Sequence, residues 1–330
     1  MANTSVQLRA NNGQYVCAEN SGGDLLVVNR NLPLQWESFI LINIQGTGLQ
    51  DGSLVGIKCN NGQFVSAENG GGSNVIANRD SIGPWETFTI KKVGGGSIQT
   101  GDSVVFLCSD QVHYLTAEGG GGQQVVANRT AIGPWETFVV TVLPPRHVRI
   151  EIESIYCDNT EDVTGEDELY FVGAGVNRND KQVTPILTTP IGINDGQTKQ
   201  LPPDQRIVFD GTVEAADTIV VGLKAYDEDA AKDWGDRGDK LSKIASAISA
   251  GLKTVGPKGV VAGAVIQLTV AVLNLIISLD KDDELGTWSV ELPVLTLPIP
   301  ESRLTWDFYR NRKIGYSTWN YKVTFLVLIS

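Results

Sequence analysis

Short apolar runs of four to six residues, broken by Asn-Gly, Gly-Gly and Gly-Pro, fill residues 6–143, and none has a helical period. Apolar runs bounded by such turn signals read as short strands. The pattern recurs three times. "NGQYVCAENSGG", "NGQFVSAENGGG" and "VHYLTAEGGGG" precede "LVVNRNLPLQWESF", "VIANRDSIGPWETF" and "VVANRTAIGPWETF" respectively, about fifty residues apart. After "VLPPRH" at residues 142–147 the repeat stops and the rhythm changes. Alternating strand-like runs now end in acidic residues. Leu241, Ile244, Ala245, Ile248 and Leu252 then recur at helical spacing. An uncharged stretch follows at 259–279, and "RLTWDFYRNRKIGYSTWNYKVTFLVLIS" closes the chain as two or three strands.

A unit of about fifty residues with four short strands cannot bury its own apolar face, so repeats must share a core. Twelve strands in three equal units is the arithmetic of a β-trefoil. Alignment on Trp36, Trp85 and Trp135 makes Glu19, Glu68 and Glu118 correspond, and likewise Arg30, Arg79 and Arg129. The tryptophans, each three residues before Phe39, Phe88 or Phe138, are expected in the core. The Glu and Arg of each copy are expected to pair across a turn, and the glycine runs to supply positive φ. The runs lack the strand-to-helix setting and the Lys-Ser/Thr end of a phosphate loop. Over residues 1–145 the "YVSAE"-type, "ANR"-type and "WETF"-type segments resemble the fascin-like β-trefoil branch. "LQWESF" has only an incidental Gln35-Trp36 pair, so the Gln-x-Trp trefoil lectins are not assigned. The fascin-like resemblance implies either actin bundling or glycan and cell-surface recognition.

Composition narrows these choices. The formal net charge of −12 disfavours nucleic acid and anionic lipid and suits divalent cations. Residues 1–145 carry seven basic and eleven acidic residues. One acidic trefoil is a poor actin bundler, so actin ranks last. Cys17, Cys59, Cys108 and Cys157 share no CxxC spacing and are expected as reduced thiols. With only His113 and His147, and no nucleophile or dinucleotide motif, a non-enzymatic protein is expected. The opening "MANTSVQLRANNG" has no signal-peptide pattern. The expectation is a cytoplasmic product, with any release by a non-classical route.

The second half concentrates its acids. Asp158, Glu161, Asp162, Glu166, Asp167 and Glu168 lie between two strand patterns. "AYDED" carries Asp227 and Asp229, and "LDKDDELG" carries Asp280, Asp282 and Asp283. Carboxylates gathered at strand ends repel one another unless a hard cation joins them, and calcium takes six to eight oxygens from flexible loops. Those two segments resemble the C-two-type calcium-binding β-sandwich. The resemblance implies Ca2+ ligands at Asp227, Asp229, Asp280, Asp282 and Asp283, with Asp162 and Asp167 as further candidates. It departs from that family in separating the two segments by about fifty residues; a solvated acidic rim without metal is the plain alternative.

The intervening segment is expected as a two-helix cap over an apolar sheet face, with "AVLNLIISL" a core strand leading to Asp280. Its alternative is a membrane-inserting hairpin over 241–279, since 21 uncharged residues suffice to span a bilayer. The fold expected is mainly β: a trefoil at 1–143, a linker at 144–147, and an antiparallel sandwich at 148–330 with a helical insertion at about 239–270. The function expected is glycan or cell-surface recognition by the trefoil with calcium binding by the sandwich. The alternative is a pore-forming, insecticidal toxin, and actin binding is third.

Overall fold

The computed structural model describes residues 2–46, 48–160, 166–228, 237–255, 262–276, 283–310 and 318–330. The chain is mainly β, a trefoil followed by a sandwich that carries two helices. Copy one contributes β1 (Ala2–Arg9), β2 (Tyr15–Ala18), β3 (Leu26–Arg30) and β4 (Ser38–Asn43). Copy two contributes β5 (Leu54–Lys58), β6 (Phe64–Ala67), β7 (Ser73–Arg79) and β8 (Thr87–Lys92). Copy three contributes β9 (Ser103–Leu107), β10 (Tyr114–Ala117), β11 (Val125–Arg129) and β12 (Phe138–Leu143).

Each copy opens with a hairpin whose turn is written in the sequence. Asn12, Asn61 and Asp110 accept, through Oδ1, the N–H two residues on, from Gln14, Gln63 and Val112, at 2.9 Å each. Such side-chain bonds to the nearby backbone are what Asn and Asp bring to turns. The copies share one core, in which Val6, Val55 and Val104 pack with Phe39, Phe88 and Phe138, all buried. Each phenylalanine buried in this way contributes about 1.5–3 kcal/mol. Main-chain bonds close the ring: Asn61 N donates to Ser21 O (3.2 Å), Asp110 N to Gly70 O (3.1 Å) and Asn12 N to Gly120 O (3.0 Å). Gly71 and Gly121 have φ of 144° and 132°. A Cβ at Gly121 would lie 2.2 Å from the Asn12 amide. Only glycine lets the copies meet there.

Pro144 and Pro145 separate β12 from β13 (Arg146–Asn159), so Arg146 and His147 of the expected linker are already strand. Then come β14 (Asp167–Asn177), β15 (Val183–Leu187), β16 (Ile191–Ile193), β17 (Thr198–Lys199), β18 (Ile207–Val213) and β19 (Thr218–Asp227). Helices α1 (Arg237–Thr254) and α2 (Ala262–Ile276) follow. The chain finishes with β20 (Asp283–Pro293), β21 (Glu301–Arg310) and β22 (Trp319–Ile329). One sheet runs β17-β13-β22-β21 with β18 beside β13; the other runs β15-β14-β19-β20 with β16 beside β14. Leu169, Phe171 and Leu223 face the first sheet with Phe325 and Tyr321. On the other side of β14 and β19, Tyr170, Val172, Ala174 and Val220 pack against Ile244, Ile248, Leu252 and Val265 of the helices. "LYFVGAGV" is thus buried on both faces, which explains an unbroken apolar run in an antiparallel sheet.

The helical cap therefore matches the expectation, but its end does not. Residues 271–276 continue α2 rather than forming a strand, and residues 277–279 lie outside the described set. The sequence leaves this choice open, because Val, Leu and Ile occur in either state and a short apolar run does not distinguish a strand from a helix by its period. Arg237 donates to Leu187 O (2.7 Å) at the start of α1, and Lys181 Nζ donates to Leu252 O (2.7 Å) and Val255 O (3.3 Å) at its end. A lysine on these orphan carbonyls satisfies the helix C-terminus. Among the described residues, no helix is long and apolar enough to cross a membrane.

Candidate functional site

The last turn of each trefoil copy builds the same corner. Arg30, Arg79 and Arg129, at the ends of β3, β7 and β11, pair with Glu19, Glu68 and Glu118 at 2.8, 2.6 and 2.9 Å. These are the pairings expected from the alignment. The tryptophans are a correction: they are not core. Trp85 and Trp135 are 40% and 39% exposed and Trp36 is half-buried, whereas Phe39, Phe88 and Phe138 three residues later fill the interior. The reason is geometric. Phe39, Phe88 and Phe138 lie on inward-facing strand positions, while each tryptophan precedes its strand. The Trp85 and Trp135 rings instead lie against Gly70 and Gly120, where a Cβ would approach to 3.4 and 3.2 Å. The Arg129 guanidinium sits 6.0 Å from the Trp135 ring centroid.

Each copy also carries a second glutamate that the sequence reading does not single out. Glu37, Glu86 and Glu136, next to the tryptophans, are buried and accept the N–H of Leu34, Gly83 and Gly133 at 2.8, 2.9 and 2.8 Å. Ser38, Thr87 and Thr137 close the same turn by donating to the carbonyls of Leu34, Gly83 and Gly133. The signal was present in "WESF" and "WETF", where the acid is repeated as faithfully as the tryptophan. Arg30 and Arg79 also lie 3.7 and 3.8 Å from Glu37 and Glu86, so each guanidinium is held between two carboxylates. The result is a rigid aromatic edge beside a fixed guanidinium and carboxylate. A cleft of about 360 Å³ follows residues 129–136 in copy three. The equivalent cleft of copy one, about 400 Å³, has Leu32 and Leu34 where copy three has Ala131 and Gly133, and Thr296 of the sandwich adds to its lining.

The acidic candidates divide. Asp162, Asp229, Asp280 and Asp282 lie outside the described residues. Asp227 and Asp283 are direct cross-strand partners at one end of the second sheet, and Asp227 also pairs with Leu169, two residues from Asp167. Three of the expected residues are therefore brought to one sheet end. Two are already engaged. Asp227 is buried and accepts Glu168 N–H at 2.6 Å, and buried Asp167 accepts the Tyr321 hydroxyl. Burial and that bond to Asp167 push the Tyr321 phenol up. Among the described residues, no three acidic, His or Cys groups converge as metal ligands.

The four thiols are free and buried. Burial pushes Cys59 and Cys108 up to about 12, and Cys157 up to about 11, so they stay protonated at neutral pH and are poor nucleophiles. Of the aromatic C-terminal strands, Trp306, Phe308, Trp319 and Tyr321 are core, and Tyr309 is exposed.

No protein-family model and no characterised protein matches this sequence. Among solved structures the chain is similar to the Polyporus squamosus lectin bound to a human-type influenza-binding epitope, with TM-score 0.33 and 10% identity over 42% of this chain and 48% of that one. It is also similar to the BEL β-trefoil in an apo crystal form, with TM-score 0.32 and 19% identity over 42% of this chain and 93% of that one. The chain thus spans about half the length of the first of these. At such scores neither likeness assigns a function.

Proposed function

We propose that the protein is a non-enzymatic glycan-binding protein whose trefoil presents the Trp–Arg–Glu corner as its recognition element. The observation that carries this reading is the exposure of Trp85 and Trp135, 40% and 39%, beside buried glutamates and paired arginines. An indole edge held rigid and half in water offers a flat apolar face to the C–H side of a pyranose. The neighbouring guanidinium and carboxylate offer a donor and an acceptor to its hydroxyls. Glycan-array screening followed by calorimetry tests it. The double variant Trp85→Ala/Trp135→Ala is expected to lose at least about tenfold in affinity, roughly 1.4 kcal/mol. Unchanged binding by that variant would sink the proposal.

We further propose that the sheet end bearing Asp227 and Asp283 binds calcium, with the neighbouring acidic segments supplying the oxygens that the described residues lack. Their direct cross-strand pairing favours this reading, because like charges at directly opposed positions are destabilising and a cation offsets that repulsion. Calcium binding to the native state must raise the melting temperature. The rise is expected to disappear in chelator and in Asp283→Asn; no heat and no shift at millimolar calcium would refute it. A membrane role for α1 and α2 requires the pair to leave the apolar sheet face they cover, and release of calcein from liposomes tests that separately.

A further inference from the structure

The pseudo-threefold symmetry of the trefoil makes one prediction that its surface obeys and one that it breaks. The first hairpins superpose by register: Arg9 pairs with Tyr15, Lys58 with Phe64 and Leu107 with Tyr114. Arg9, Lys58 and Leu107 are thus equivalent, and so are Asn11, Asn60 and Ser109. The strand before the hairpin pairs with the fourth strand of its own copy in the same way, with Ser5 opposite Ile40, Leu54 opposite Thr89 and Ser103 opposite Val139. Ser5 and Ser103 are therefore equivalent, with Leu54 as the third member.

The copy-two hairpin, together with Ser5, is where the sandwich docks. The turn at 214–218 between β18 and β19 lies on it. Ser5 donates its N–H and hydroxyl to Glu214 at 2.9 and 2.8 Å, and its hydroxyl accepts Ala216 N–H at 3.1 Å. Asn60 Nδ2 donates to Ala216 O and Thr218 Oγ1 at 3.3 and 3.2 Å. Lys58, only 7% exposed, lies in the field of the Asp217 carboxyl, which is 1% exposed. A serine hydroxyl and an amide, next to a buried lysine that makes no ion pair with the turn, thus hold a segment that offers two acids, a carbonyl and a hydroxyl.

The same three groups recur, uncovered, one-third of a turn away. Arg9, Asn11 and Ser103 line an open cleft of about 610 Å³ whose far wall includes Pro134 and Thr137 of copy three. Arg9, Asn11 and Asn12 are exposed, and Arg9 makes no ion pair among the described residues. Arg9 is the one charged side chain in its lining. At the third position Leu107, Ser109 and Leu54 supply neither the cation nor the first serine, so the pattern is not a by-product of the repeat.

We infer that the Arg9–Asn11–Ser103 cleft is a second docking site, which takes an acidic turn of a partner polypeptide with the chemistry of residues 214–218. A guanidinium suits this task because it meets a carboxylate with two parallel N–H bonds. The volume is that of a site for a few residues. The 214–218 turn of another copy of this chain is already engaged with its own trefoil, so the partner is a different protein. This inference does not depend on the glycan reading.

The test uses the full chain and a head-to-tail cyclised peptide, "GTVEAADTIV", that carries residues 211–220. Backbone amide shifts are expected at Arg9, Asn11, Asn12 and Ser103, with affinity on the order of 0.1–1 mM. Arg9→Glu, on the surface and checked for an unchanged melting temperature, is expected to weaken binding at least about tenfold, as is the Glu214→Gln change in the peptide. Asn11→Ala supplies an independent variant and is expected to weaken it too. Three outcomes overturn the inference: no saturable shift, equal binding by Arg9→Glu, or shifts confined to Lys58 and Asn60. Glucuronic acid is titrated in parallel. If it saturates the same amides more tightly than the peptide, the cleft takes an acidic sugar and the polypeptide assignment fails.

Discussion

Within each "WETF" the tryptophan, the glutamate and the phenylalanine have three different tasks. Trp85 is 40% exposed, Glu86 satisfies a turn N–H, and Phe88 is core. Stability should rank them. Phe88→Ala is expected to cost about 3–5 kcal/mol, the range for truncating a buried phenylalanine. Glu86→Ala leaves Gly83 N–H without its acceptor in a part-buried turn and is expected to cost about 1–3 kcal/mol. Trp85→Ala should cost no more than about 1 kcal/mol if the ring is kept for binding rather than for folding. Urea unfolding of the three variants measures the order, and a Trp85→Ala cost comparable to that of Phe88→Ala would return the tryptophan to the core. The Phe was legible from period-two burial. The Trp was not, because an aromatic one step outside a strand has the same local pattern as one inside it.

Elements meet through contacts that no local pattern announces. Gly121 must be glycine because copy one approaches it, and Gly121→Ala adds both φ strain and a clash with Asn12. Gly13, with φ of 87° and nothing within 4 Å of a built Cβ, carries the strain alone. Gly121→Ala should therefore lower the urea midpoint more than Gly13→Ala, whose cost is on the order of 1 kcal/mol. The helical pair shows the same dependence on partners. Leu241, Ile244, Ile248 and Leu252 marked α1 by their spacing, whereas α2 is apolar at most positions, and it is the sheet beneath that buries Val265 and partly buries Leu268. Lys181→Met removes the donor from the α1 terminus, and faster hydrogen exchange over residues 248–255 is the expected result.

At the scale of the molecule, the seam between trefoil and sandwich holds a carboxyl in an unfavourable place. Asp217 accepts Thr218 N–H and Asn179 Nδ2 through Oδ1, while its Oδ2 has no partner. Burial pushes it up to about 7, against which the Thr218 N–H, Lys58 and Arg178 pull down and Asp180 pushes further up. Lys181, Glu214 and Glu291 are the other charged groups around the seam. The folded state therefore favours the protonated form. Its stability is highest, as far as this group is concerned, below the ordinary aspartate range near 4. It falls as pH rises toward 7 and levels off above, by a few kcal/mol at most. Asp217→Asn should flatten that slope in urea midpoints taken from pH 4 to 8. A slope unchanged in the variant would assign it to other groups.

The amino-acid sequence by itself determined the trefoil, because three copies of an "AEN"-type, an "ANR"-type and a "WETF"-type segment repeat one set of turns and inward positions. It also determined the Glu–Arg pairs and the amphipathic α1, since these depend on spacing within one element or one hairpin. What only the tertiary structure decided is which equivalent positions are covered. Arg9 and Lys58 occupy the same place in their copies, yet one is exposed and the other buried beneath the sandwich. Exposure of Trp85, engagement of Asp167 by Tyr321 and the open cleft at Arg9 are decisions of that kind. Each depends on residues more than a hundred positions away or on the absence of a neighbour, and burial of that origin leaves no period in the chain.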